Sequence, residues 1–130
     1  MMSIISVVLG GSLGAVTRYL LGIYINQHVK KTSMPVAMLL VNLIGAFGLG
    51  LFIGSFYGIT NAGENADAFY LFLAVGFFGA FTTFSTFSIE AMGLWKEKQY
   101  KLFSIYLLLS ILGSILCFIS GAYLGAFFIN

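Results

Sequence analysis

Between Gly79 and Glu90 the chain reads "GAFTTFSTFSIE", in which five hydroxyl side chains, Thr82, Thr83, Ser85, Thr86 and Ser88, interleave with Phe81, Phe84 and Phe87. A hydroxyl gives one proton and offers two lone pairs. A phenyl ring has a positive edge and a negative face. Phe84 and Phe87, three apart, point roughly the same way on a helix. Two rings presenting their edges to a narrow passage can receive an anion without a full positive charge, whereas a cation prefers the faces. The plainer alternative is that these rings face lipid or fill space, in a chain with 14 phenylalanines.

Other polar residues could serve the same end. Asn42, in "VNLIGAFGLG", brings two donors and one acceptor into an apolar run. It either bonds a neighbouring helix or turns its NH2 toward an anion. Tyr106, Ser110 and Ser114 recur every four residues, forming a polar track on one helix face. Arg18, in "GAVTRYLLG", either snorkels to the interface or gives a water-filled entrance a positive potential. Glu90, two turns beyond Thr83, is a candidate because embedded carboxylates are costly, although pairing alone would account for it. His28 is expected in a solvated loop, and Cys117, without a second cysteine, as a small packing residue. There is no phosphate-binding glycine loop, no metal-ligand cluster and no nucleophile–base pair, so an enzyme is not expected.

These residues sit in a chain of 130 residues that is 60% hydrophobic and 8% charged, with a mean hydropathy of +1.03. Soluble domains devote about a quarter of their residues to charge, so this composition specifies an all-α integral membrane protein. A helix needs about 20 apolar residues to cross the hydrocarbon core. Four stretches qualify, approximately 4–25, 35–57, 68–95 and 102–128, and together they make one transmembrane domain over 1–130. Pro35 suits the opening of the second, where a missing N–H costs little. The N-terminus lacks the basic region and cleavage site of a signal peptide and reads as the start of the first helix. The net charge of +2 is too small to suggest a nucleic-acid partner.

The connections differ in charge. Lys30, Lys31, Lys96, Lys98 and Lys101 lie on one side of the four spans, and Glu64 and Asp67 on the other. The positive-inside tendency predicts cytoplasmic first and third connections and external termini. Glycines four apart, Gly10/Gly14, Gly50/Gly54, Gly54/Gly58 and Gly121/Gly125, allow close helix approach in lipid. Four helices enclose little volume, so at least a dimer is expected. Within the third span two courses remain open. The helix continues, its hydroxyls bonding back one turn, or it is interrupted, with freed carbonyls facing protein, water or an ion.

"GGSLGAVTRY", "VNLIGAFGLG" and "GAFTTFSTFS", with the length and four-span layout, resemble the Fluc fluoride channels of the CrcB family over nearly the whole chain. The resemblance implies a plasma-membrane channel, an antiparallel, dual-topology dimer with two pores, and a third helix broken mid-membrane. It implies that fluoride leaves the cytoplasm passively, relieving toxicity. Phe84, Phe87 and Asn42 would be pore residues, with Ser85 and Thr86 beside them and Tyr106, Ser110 and Ser114 as the polar track. Arg18 would stand at the vestibule, and backbone carbonyls of Gly79 and Thr82 would hold a structural Na+. One departure is Ala80, where the family often has a second glycine. The lysine asymmetry favours one orientation per chain, so the dimer partner is either a second copy or an inverted related subunit. A small multidrug-type proton-coupled transporter would want an acid early in the first helix, which has none. A scaffold subunit would leave the hydroxyl cluster unexplained.

Overall fold

The computed structural model describes residues 2–30, 33–58 and 67–128, with the backbone alone at Met2. Lys31 and Glu64, which enter the charge comparison, lie outside the described residues. The elements in chain order are α1 (Met2–His28), α2 (Val36–Phe56), α3 (Ala68–Tyr70), a π-helical segment (Leu71–Phe78), α4 (Gly79–Phe81), α5 (Phe84–Lys96) and α6 (Tyr100–Phe127). Among the described residues four stretches are long and apolar enough to cross a membrane: Ser3–His28, Val36–Phe56, Ala68–Lys96 and Tyr100–Phe127. His28, expected in a loop, is instead the last residue of α1. Its Nδ1 lies 2.8 Å from the Tyr24 carbonyl and its ring packs on Tyr24.

The spine of the bundle is α2, which contributes to all three buried clusters. Ala37 and Val41 pack with Ile25 and Phe81. Leu39 packs with Ala91, Leu94 and Tyr106. Phe52 and Ile53 pack with Ala74. Along its other side α2 lies against α6 so closely that glycine is required. A Cβ on Gly50 would stand 2.9 Å from the Phe118 carbonyl carbon and 3.0 Å from the Ala122 nitrogen, closer still to the Phe118 oxygen. Gly121 faces the backbone of Phe47 and Leu51 in return. In lipid, where apolar burial gives helices little reason to associate, such backbone proximity is what the small residues contribute. Against α1, Gly10 and Gly14 meet the carbonyls of Phe72 and Phe77 in the π-helical segment.

The end carrying Lys96, Lys98 and Lys101 closes in a tight turn. Glu97 N–H donates to the Gly93 carbonyl and Gln99 N–H to that of Leu94 at 2.9 Å, with Lys98 in the left-handed region at φ 58. Trp95 and Tyr100 meet edge to face across it, as aromatic residues do at a membrane interface. At the other end Asp67 caps α3, accepting from the Tyr70 N–H at 2.8 Å and the Tyr57 hydroxyl at 2.6 Å. These bonds hold the Asp67 carboxyl below its usual range. Desolvation, followed by the Asp67 hydrogen bond, pushes Tyr57 up to about 12.

Candidate functional site

Between α4 and α5 the backbone leaves the helical region for two residues. Thr82 has φ −80 and ψ 149, and Thr83 has φ −141 and ψ 121. Consecutive β-branched residues favour this extended conformation. Most of their polar groups are met locally and from α2. The Thr82 hydroxyl donates to the Phe78 carbonyl at 2.9 Å. Asn42 accepts the Thr83 N–H on Oδ1 at 3.0 Å and donates from Nδ2 to the Thr83 carbonyl at 3.3 Å. Thr83 Oγ1 then accepts the Thr86 N–H at 3.3 Å and so caps α5. In an unbroken helix the N–H groups of Thr83 and Thr86 would point to the carbonyls of Gly79 and Thr82. Here both are engaged elsewhere.

Two cavities flank this segment. The first, about 370 Å³, is lined by Asn42, Thr82, Thr83, Phe84, Phe87, Ser110 and Ser114, with Ala46, Leu49, Ile111 and Phe118 as its apolar wall. Half of the site residues named from the sequence, Asn42, Thr82, Phe84, Phe87, Ser110 and Ser114, are therefore brought together, while Arg18, Gly79, Ser85, Thr86, Glu90 and Tyr106 do not line this cavity. Phe84 is 79% exposed, and its ring centroid is 5.7 Å from that of Phe87. Ser110 is buried, 8% exposed, and its Oγ, close to the Tyr106 hydroxyl, makes no hydrogen bond of good geometry. The second cavity, about 410 Å³, is lined by Asn26, Lys30, Thr86 and Glu90 among apolar residues that include Met34 and Pro35. Between the two stands Tyr106, fully buried. Its ring packs on Phe87, and its hydroxyl donates to Glu90 Oε2 at 2.7 Å.

The polar track of α6 is thus divided. Ser110 and Ser114 reach the first cavity, while the Tyr106 hydroxyl is committed to Glu90. Arg18 is half-buried on α1 and lines neither cavity. Ser85 lies exposed beside the first turn of α5 and bonds Thr83, while Ser88 bonds back to the Phe84 carbonyl at 2.9 Å. Sequence reasoning passed over Asn26, and took Thr83 only as one of the hydroxyl cluster and Lys30 only as a loop charge, yet all three line these cavities. A threonine just before a helical run is a readable cap signal. Nothing in the sequence brings Asn26 and Lys30 to Glu90, because that juxtaposition depends on where α1 ends relative to α5.

The arrangement sets hydroxyl, amide and aromatic groups around one cavity in a bundle with four apolar spans. Residues 5–122 match the family described as CrcB-like protein, Camphor Resistance (CrcB). The chain belongs to the CrcB-like family. Among its curated CrcB-like relatives is fluoride-specific ion channel FluC 1 of Halalkalibacterium halodurans, 48% identical over 94% of this chain and 96% of that one. The fluoride-specific ion channel FluC of Bacteroides fragilis is 39% identical over 96% of this chain and 97% of its own. A FluC 1 of Carboxydothermus hydrogenoformans is 38% identical over 98% and 97% respectively. Kinship and the four spans make this CrcB-like chain a multi-pass protein of the plasma membrane.

Proposed function

We propose that this chain forms a fluoride-selective channel that lets F− leave the cytoplasm down its gradient. The observation that carries the reading is the convergence of Asn42, Phe84, Phe87, Ser110 and Ser114 on one cavity, in a chain whose relatives are named fluoride-specific ion channels. Fluoride is small and tightly hydrated, so its water must be replaced by several donors at close range. The Ser110 hydroxyl, Ser114, an Asn42 N–H and the edges of Phe84 and Phe87 are such donors. HF, a weak acid, crosses lipid uncharged and dissociates inside. A passive pathway for the anion then limits its accumulation.

The working unit is an antiparallel dimer with two pores. Its support is the exposure of Phe84, which leaves the first cavity with one flank uncovered by this chain. A second copy, inverted, supplies that flank. The lysine asymmetry makes an inverted relative the competing partner, and reporter fusions at the C-terminus that reveal only one orientation would exclude the homodimer. The carbonyls of Gly79 and Thr82, released from helical bonding, are neutral hard oxygens of the kind that suit Na+. When bound, that ion supplies a fixed positive charge. Arg18 and Glu90 remain candidates at the pathway's ends, Glu90 with its hydrogen bond from Tyr106. A proton-coupled drug transporter has less support, since α1 carries no acid.

Ion release from liposomes containing the purified chain tests the proposal. Rapid fluoride release with little chloride release is expected, along with loss of flux in Phe84→Ile and Asn42→Ala. Equal release of the two halides, or none even when an inverted relative is supplied, would overturn it.

A further inference from the structure

Thr83 was not among the residues assigned to the pathway, yet every polar group it has is used to orient one that was. Its peptide settles the amide of Asn42. Oδ1 faces the Thr83 N–H and Nδ2 faces the Thr83 carbonyl. A flipped amide would set donor against donor and oxygen against oxygen, so the orientation is fixed by chemistry. Of the amide's two N–H donors one is consumed. A single N–H is left at the cavity that Asn42 lines.

The Thr83 hydroxyl does the same for its neighbours. It donates its only proton to Thr86 Oγ1 at 3.2 Å while accepting the Thr86 N–H at 3.3 Å. Its third contact, 3.3 Å from Ser85 Oγ, is open to either donor by distance. With the Thr83 proton already given, Ser85 is the donor, and its hydrogen turns inward. Thr86, having received a proton, keeps its own free, and Thr86 lines the second cavity beside Lys30 and Glu90.

We infer that Thr83 is the positioning residue of the pathway: its peptide leaves one Asn42 N–H for the first cavity and its hydroxyl leaves the Thr86 O–H for the second. The inference rests on the channel reading. Thr83 is 8% exposed and acts through Asn42 and Thr86, so it is not a catalytic residue in any sense.

The test compares initial fluoride release from liposomes for the full chain and three variants. Thr83→Val keeps the β-branched shape without the hydroxyl. Thr83→Ser keeps the hydroxyl. Thr83→Asn keeps a side-chain acceptor that caps a helix as well as threonine does, without a hydroxyl to order Ser85 and Thr86. Val and Asn should each slow release by about tenfold or more, the size of one lost hydrogen bond to a charged group, and Ser by far less. Adding Thr83→Val to Thr86→Val should slow release little further, because the donor it orders is already gone. A purely structural cap predicts that Asn restores flux, and that result would overturn the inference, as would unimpaired flux in Val. If Val does not yield monodisperse protein, the Ser and Asn pair decides the matter alone. Failure of the unsubstituted chain to release fluoride even when an inverted relative is supplied would instead defeat the channel reading.

Discussion

Replacing Gly50 by alanine adds one methyl group where α2 and α6 touch through their backbones. The new Cβ would lie 2.9 Å from the Phe118 carbonyl carbon and 3.0 Å from the Ala122 nitrogen. Carbon atoms rest about 3.5 Å apart or more, so the seam must open by at least about 0.6 Å. Neither neighbour is a flexible side-chain tip that could swing aside. Overpacking of this kind costs about 1–3 kcal/mol. The displacement also reaches function, because Phe118 lines the first cavity and α6 carries Ser110 and Ser114. The internal control is Gly93→Ala in α5, where an added Cβ meets nothing within 4 Å. Helix propensity alone makes that change stabilising by up to about 1 kcal/mol. Thermal unfolding in detergent, followed by size-exclusion chromatography, should show a lower midpoint for Gly50→Ala and an equal or higher one for Gly93→Ala. Fluoride-over-chloride selectivity in liposomes should fall only for Gly50→Ala. If both alanines behave alike, the close α2–α6 seam is not what holds the cavity's shape.

Ser110→Ala removes a buried hydroxyl that makes no hydrogen bond of good geometry, so the thermal midpoint should hold or rise, by the equivalent of about 1 kcal/mol, while fluoride release slows. A lower midpoint would mean that the hydroxyl is bonded within the fold. Asn42→Ala strips both partners from the Thr83 peptide and should cost about 1–3 kcal/mol of stability as well as flux, a joint loss visible in the same two assays. The Tyr57–Asp67 tie should respond to pH at both extremes. Because the Asp67 carboxyl is held low, its contribution is present above the ordinary carboxylate range and is lost as pH falls through the folded value. Because Tyr57 is raised from 10.0 to about 12, its contribution is complete below pH 10 and is lost as pH rises toward 12. Tyr57→Phe should flatten both arms of a stability–pH curve, and unchanged arms would assign the pH response to other groups.

Much of the molecule follows from local pattern. Hydropathy specifies four spans because a helix in lipid must satisfy its own backbone, so length and apolarity alone mark it. The Thr82–Ser88 hydroxyl cluster marks the stretch where the backbone leaves the helical region, since so many polar groups in hydrocarbon need partners. Glycines four apart announce close approach. They do not say that Gly50 meets Phe118 and Ala122, or that Gly10 and Gly14 meet Phe72 and Phe77, because the spacing describes one face and leaves its partner open.

What tertiary structure alone decided is which polar group satisfies which. The sequence left Asn42 between bonding a helix and facing an ion, and its contacts engage it with Thr83 at the wall of the first cavity. Tyr106, Ser110 and Ser114 read as one track, yet Tyr106 gives its hydroxyl to Glu90 while Ser110 makes no hydrogen bond of good geometry. Periodicity is a property of a single helix, set by residues a few positions apart. A hydrogen bond between residues 41 or 16 positions apart depends on how helices are rotated and stacked, and that is fixed only when all the backbones have packed together.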